Sequence, residues 1–161
     1  MEQEKKDVDV IDTGARAPDF ELEDHKGDIF SLSGQAGRYV LLSFHPLAWT
    51  KVCAKQMQSL EAHVDDFEEL DAIAVGISVD AVPSKKAWAE SLDIMETRLL
   101  SDFWPHGQVA KKYGLFLPDR GISGRVNVIV DPEQHVAWTK VYDIPELPDI
   151  DEVLQALRGI R

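Results

Sequence analysis

Two hydrophobic periods alternate along the chain, and each change of period marks an element. Asp19-Phe20-Glu21-Leu22-Glu23 and Asp28-Ile29-Phe30-Ser31-Leu32 alternate apolar with polar around His25-Lys26-Gly27, which predicts a β-hairpin. Residues 40–45 form a continuous apolar run, the kind a sheet buries on both faces. From Cys53 onward the apolar positions Met57, Leu60, Val64 and Phe67 step by four, three, four and three, one stripe of a single helix. Residues 72–79 predict a second buried strand, and residues 83–92 a helix with Pro83 in its first turn. Leu99-Leu100 is a short apolar pair, residues 101–107 read as a loop, and residues 109–113 as a short helix that Gly114 ends. Residues 126–130 and 135–142 are strands joined by the turn Asp131-Pro132-Glu133-Gln134. Residues 150–157 predict a closing helix with Val153, Leu154 and Leu157 inward.

The order is a hairpin, then strand–helix–strand–helix, then a second hairpin and a final helix. Right-handed crossovers pair residues 40–45 with 72–79 in parallel, and the late hairpin adds antiparallel strands. The expected fold class is α/β: a thioredoxin-like fold with a central mixed sheet flanked by helices and an N-terminal β-hairpin. Residues 1–14 read as a mobile tail, and residues 15–161 as one domain.

Composition narrows the function. Hydrophobic residues make up 44% and charged residues 29% of 161, which fits a globular chain with a sizeable core. The net charge of −12 argues against nucleic acid, whose binders carry a basic surface, and against anionic membranes. No apolar run approaches the roughly 20 residues of a membrane span. The start of the chain is charged and lacks the apolar core of a signal peptide. A single cysteine excludes an intrachain disulfide, so a reducing cytoplasm is the expected location. The five histidines are scattered, with no helical pair, so no metal is expected. With no Gly-rich phosphate loop, no nucleotide cofactor is expected either.

That one cysteine sits where chemistry is favoured. Cys53 follows an apolar strand and a short turn carrying Pro46 and Thr50, at the start of a helix. Free N–H groups and a partial positive charge at a helix start favour thiolate over thiol, and the thiolate is the nucleophile.

Pro46-x-x-x-Thr50-x-x-Cys53 resembles the active-site signature of the peroxiredoxins, the alkyl hydroperoxide reductase and thiol-specific antioxidant family. Ala17-Pro18-Asp19-Phe20, Ser78-Val79-Asp80 with Trp88, Leu99-Leu100-Ser101-Asp102 and Val109-Ala110-x-x-Tyr113-Gly114 are similar to successive family segments. Gly124-Arg125 before Val128-Ile129-Val130-Asp131 matches the segment that carries the family's active-site arginine. The sole cysteine, with Pro46-Leu47-Ala48-Trp49-Thr50 and Ser101-Asp102-Phe103-Trp104-Pro105-His106-Gly107, resembles the one-Cys subgroup of alkyl hydroperoxide reductase E type.

The resemblance implies a thiol-dependent peroxidase acting on hydrogen peroxide and organic hydroperoxides. Cys53 attacks the peroxide and becomes a sulfenic acid, which an external low-molecular-weight thiol or a thioredoxin- or glutaredoxin-like protein resolves. It implies Arg125 as a fixed cation beside the sulfur and a homodimer or higher homo-oligomer. Thr50 stands three residues before Cys53, the N-cap-to-N3 spacing. Its hydroxyl is therefore expected both to cap the first turn and to donate to the sulfur or a peroxide oxygen. Pro46 is expected to shield the sulfur.

Two positions depart from the family: Gln56 where many relatives carry Glu, and His45 where an aromatic residue is common. His45 is left as a pocket residue or a group titrating near neutrality, without an assigned role. Structural alternatives stand beside each residue: Cys53 as a small buried hydrophobe, Thr50 as a cap alone, Arg125 as a strand-edge residue and Pro46 as a strand breaker. Trp49 and Trp104 are candidate pocket or dimer residues. The rival function is a cysteine-based redox sensor or thioredoxin-like binding module without significant turnover. A dithiol oxidoreductase needs Cys-x-x-Cys, and Thr50 holds its first position.

Overall fold

The structure, a computed structural model, describes residues 8–161. A hairpin of β1 (Glu21–Glu23) and β2 (Ile29–Ser31) leads into β3 (Tyr39–Phe44), α1 (Lys51–Ala62), α2 (Val64–Glu69) and β4 (Ala72–Ser78). Then follow α3 (Val82–Ser91), β5 (Arg98–Ser101), α4 (Gln108–Lys112), β6 (Phe116–Leu117) and β7 (Ile122–Ser123). The chain closes with β8 (Arg125–Val130), β9 (Val136–Tyr142) and α5 (Ile150–Ile160). The central sheet has the order β5-β4-β3-β8-β9. Its β3–β4 and β4–β5 pairs are parallel, and β8 is antiparallel to both β3 and β9. The architecture is the mixed α/β, thioredoxin-like one, with the hairpin as its own two-stranded sheet.

Alternation along β3 divides the core. Val40, Leu42 and Phe44 join one cluster with Phe20, Phe30 and Tyr113, under the hairpin and α4. Leu41 joins the opposite cluster with Met57, Leu60, Trp88 and Leu154 from α1, α3 and α5. Cys53 belongs to this second cluster.

Four local expectations change. Two helices replace the single one expected after residue 53. The chain breaks at His63 (φ −113°, ψ 19°), while the apolar stripe continues through Phe67. The Leu99-Leu100 pair lies inside a full strand because Gly76 and Ile77 of β4 pair with it. Residues 116–123 contain the extra hairpin β6–β7, whose two-residue strands are too short to show a period. The last change concerns the tail: its first seven residues lie outside the described ones, but residues 8–14 are not free. The Asp9 and Ile11 N–H groups donate to the Gly114 and Tyr113 carbonyls at 3.1 and 3.0 Å, and Val8, Val10 and Ile11 pack on the core. Gly114 (φ +75°) permits this, since a Cβ there would meet the Asp9 carbonyl oxygen at 2.0 Å.

Candidate active site

β3 ends at Phe44, and the chain turns through residues 45–50 into α1. Three contacts hold the turn. The Ala48 N–H donates to Asp80 Oδ2 at 2.8 Å, the Thr50 hydroxyl to the Leu47 carbonyl at 2.7 Å, and the Trp49 indole N–H to Ser84 Oγ at 3.0 Å. Trp49 is fixed in the left-handed region at φ 67°, a conformation that bulky residues rarely adopt. Thr50, extended at φ −114° and ψ 153°, stands at the N-cap of α1, and its carbonyl accepts the first helical bond from Ala54.

Cys53 is the third residue of α1, so its N–H belongs to the first turn, which has no i−4 partner. No acidic residue lies in that turn, and Lys51 opens it. The end of the helix is thus left positive. The Cys53 side chain is fully buried.

Arg125 reaches the sulfur from β8, across 72 positions of sequence. Val126 pairs with Phe44, so Arg125 leaves the sheet at the end where β3 turns. Its Nη1 donates to Cys53 Sγ at 3.3 Å and to Gln56 Oε1 at 2.7 Å. Its Nε and Nη2 donate to the Ile144 carbonyl at 2.8 and 2.6 Å. The guanidinium fork is therefore clamped in one plane with one edge on the sulfur. Gln56, one turn after Cys53, donates to Ser43 Oγ at 2.7 Å and to the Phe44 carbonyl at 3.3 Å, tying Arg125 back to β3.

A pocket of about 250 Å³ opens at this end of α1, lined by Pro46, Thr50, Val52, Arg120, Arg125 and Ile144 among others. Pro46, Thr50, Cys53 and Arg125 are thus brought to one place. One expectation is corrected. The Thr50 Oγ1 accepts no N–H of the first turn, and its single hydrogen goes to the Leu47 carbonyl within the turn rather than to the sulfur. His45 is also clarified. It is wholly buried, its ring centroid 5.5 Å from that of Trp88. Burial, with the positive charge of Lys85 next, holds it well below its ordinary value, so it stays neutral at neutral pH. Trp49 and Trp104 lie outside the pocket lining, at 57% and 80% exposure.

Sequence reasoning noted Gln56 only as a departure and missed the Ile144 carbonyl and Asp80. Ser78-Val79-Asp80 at the end of a strand was a usable signal for Asp80, since side chains there face the neighbouring strand's turn. Among the described residues, no cluster of His, Cys, Asp or Glu could hold a metal ion, and no helix is long and apolar enough to cross a membrane.

Comparison with known proteins places this geometry. Residues 13–139 match the model of the AhpC/TSA family. Alkyl hydroperoxide reductase E of Mycobacterium tuberculosis is 38% identical over 141 residues, covering 87% of this chain and 92% of the relative. Peroxiredoxin 2 of Picrophilus torridus is 31% identical, covering 92% and 75%. Among solved structures, the reduced 2-Cys peroxiredoxin of Plasmodium vivax superposes with a TM-score of 0.85 at 28% identity, covering 92% and 81%. Peroxidoxin BcpB of M. tuberculosis superposes at 0.82 and 30% identity, covering 94% and 99%.

Proposed function

The chain belongs to the AhpC/TSA family and is a peroxiredoxin, a thiol-dependent peroxidase; from that premise we propose that it works by a one-Cys mechanism at Cys53. The contact that carries the proposal is the 3.3 Å approach of Arg125 Nη1 to Cys53 Sγ at the uncapped start of α1. The Cys53 thiolate attacks one peroxide oxygen. The O–O bond breaks, and the other oxygen leaves as hydroxide or alkoxide and takes a proton from water. The sulfur gives up two electrons and becomes a sulfenic acid. Negative charge spreads over S, O and O in the transition state. The Arg125 guanidinium and the α1 N–H groups are already pointed at that region, so little reorganisation is needed as the charge moves. Pro46 and Val52 keep the pocket wall apolar, which limits water around the sulfur.

With no second cysteine in the chain, an external thiol condenses with the sulfenic acid and expels water. A second thiol then releases Cys53 and leaves as the external disulfide. The reductant is a small thiol or a thioredoxin- or glutaredoxin-like protein, and the substrates are hydrogen peroxide and organic hydroperoxides. The sulfur carries both electrons, so no prosthetic group or metal takes part. The working form is a homodimer or higher homo-oligomer in a reducing cytoplasm. Steady consumption of hydrogen peroxide and of an organic hydroperoxide with a small thiol tests the mechanism. Turnover should continue past one equivalent and vanish in Cys53→Ser. Consumption that stops at one equivalent with every thiol tried would refute it.

A further inference from the structure

We propose that Lys85 is a positioning residue of the peroxidase site: a buried ammonium that holds the 45–50 turn, which leads into the Cys53 helix, through Ser78 and Asp80. This role presupposes Cys53 as the nucleophile. Lys85 lies on α3 and is fully buried, whereas its neighbour Lys86 is exposed. Lysine is almost never buried completely without partners. Three acceptors surround Nζ, matching the three hydrogens of an ammonium: Ser78 Oγ at 2.7 Å, the Leu100 carbonyl at 2.9 Å and His45 Nε2 at 3.5 Å. An acceptor at Nε2 requires His45 to be neutral with its hydrogen on Nδ1.

From Lys85 a chain of hydrogen bonds runs to the turn above the sulfur. Ser78 accepts from Lys85 and donates to Asp80 Oδ2 at 2.6 Å, and the same oxygen accepts the Ala48 N–H at 2.8 Å. Each member polarises the next, so the charge on Lys85 is felt at Ala48. Deprotonating Lys85 weakens the hold on the turn.

The surroundings of Lys85 set the pH range in which its charge is present. Burial brings Lys85 down to about 7, against the opposing pull of Asp80, Cys53 and Asp102. The imidazoles of His45 and His25 feel its positive charge, and His45 also feels that of Arg125. Protonated Lys85, dominant below about pH 7, is therefore the form that supports the turn through Ser78 and Asp80. As pH rises through that value, the support is withdrawn.

The test is the pH profile of the single-turnover rate with hydrogen peroxide, for wild type, Lys85→Met and Lys85→Arg. Wild type should show a falling limb near neutral pH. Lys85→Met should be slower by about tenfold at pH 6, because the turn that positions the nucleophile is less well held, and should lack the limb. Lys85→Arg keeps its charge at all these pH values and should lack the limb without the loss. A Lys85→Met profile that coincides with wild type, or a slower one that keeps the limb, overturns the proposal. NMR titration of the Lys85 side chain in wild type does not depend on replacing Lys85. Its midpoint should coincide with the falling limb of the rate, and a midpoint that does not coincide overturns the proposal. Peroxidase activity retained in Cys53→Ser would instead sink the nucleophile assignment, which separates the two failures.

Discussion

Helices α1 and α5 start in opposite ways. At α5, Asp149 stands at the N-cap and its carboxylate accepts the Asp151 N–H at 3.0 Å, while Asp151 and Glu152 fill the first turn. Every feature there answers the positive end of the helix. At α1, Thr50 occupies the same position but makes no side-chain cap bond, the first turn has no acid, and Lys51 adds positive charge. That end is less stable than it could be. What it holds instead is Cys53, with the Arg125 cation on its sulfur. The difference separates a helix start finished for stability from one left unsatisfied so that an anion can complete it.

Replacing Arg125 tests the comparison most severely. Arg125→Met removes the sulfur's charged partner, and the rate with peroxide should fall about 100-fold by stopped flow, the usual loss when one transition-state donor is deleted. Stability should fall as well, because Gln56 Oε1 and the Ile144 carbonyl lose their donor. Thr50→Asp makes α1 start like α5. Chemical denaturation should show a gain of up to about 1 kcal/mol, while the added carboxylate beside the sulfur slows the reaction about tenfold. Equal or higher activity in this variant would mean that the unsatisfied end has no catalytic purpose. Asp149→Ala does the reverse at α5: it should cost about 1 kcal/mol of stability and leave the peroxide rate unchanged.

Legibility in the sequence followed the range of the interaction. The first hairpin and the buried face of α5 rest on local periodicity, the parallel β3–β4 pairing on the hand of the crossover, and all three were readable. The break at His63 was not, because the apolar stripe keeps its phase across it. At the site, Cys53 after a strand and turn is a local pattern. Arg125 was reached only through the family resemblance, since sheet pairing, not spacing, carries it 72 positions to the sulfur. The Ile144 carbonyl could not be foreseen, because a backbone acceptor leaves no mark on residue identity. Lys85 received no assignment from the sequence, yet it stands three and four residues before Trp88 and Ala89, on the stripe that packs inward. That phase was the available signal.

The most direct test of the central claim, that the unsatisfied start of α1 together with Arg125 makes Cys53 a peroxide-reducing nucleophile, is a single-turnover measurement on the reduced protein. Stopped-flow fluorescence with hydrogen peroxide and with an organic hydroperoxide would be followed in wild type and Cys53→Ser, with intact mass and a sulfenic-acid trap identifying the product. The account predicts a second-order rate far above that of a free thiol, one oxygen added to the wild-type protein, and no reaction in Cys53→Ser. A wild-type rate no faster than free cysteine, or an equal rate in Cys53→Ser, would contradict it.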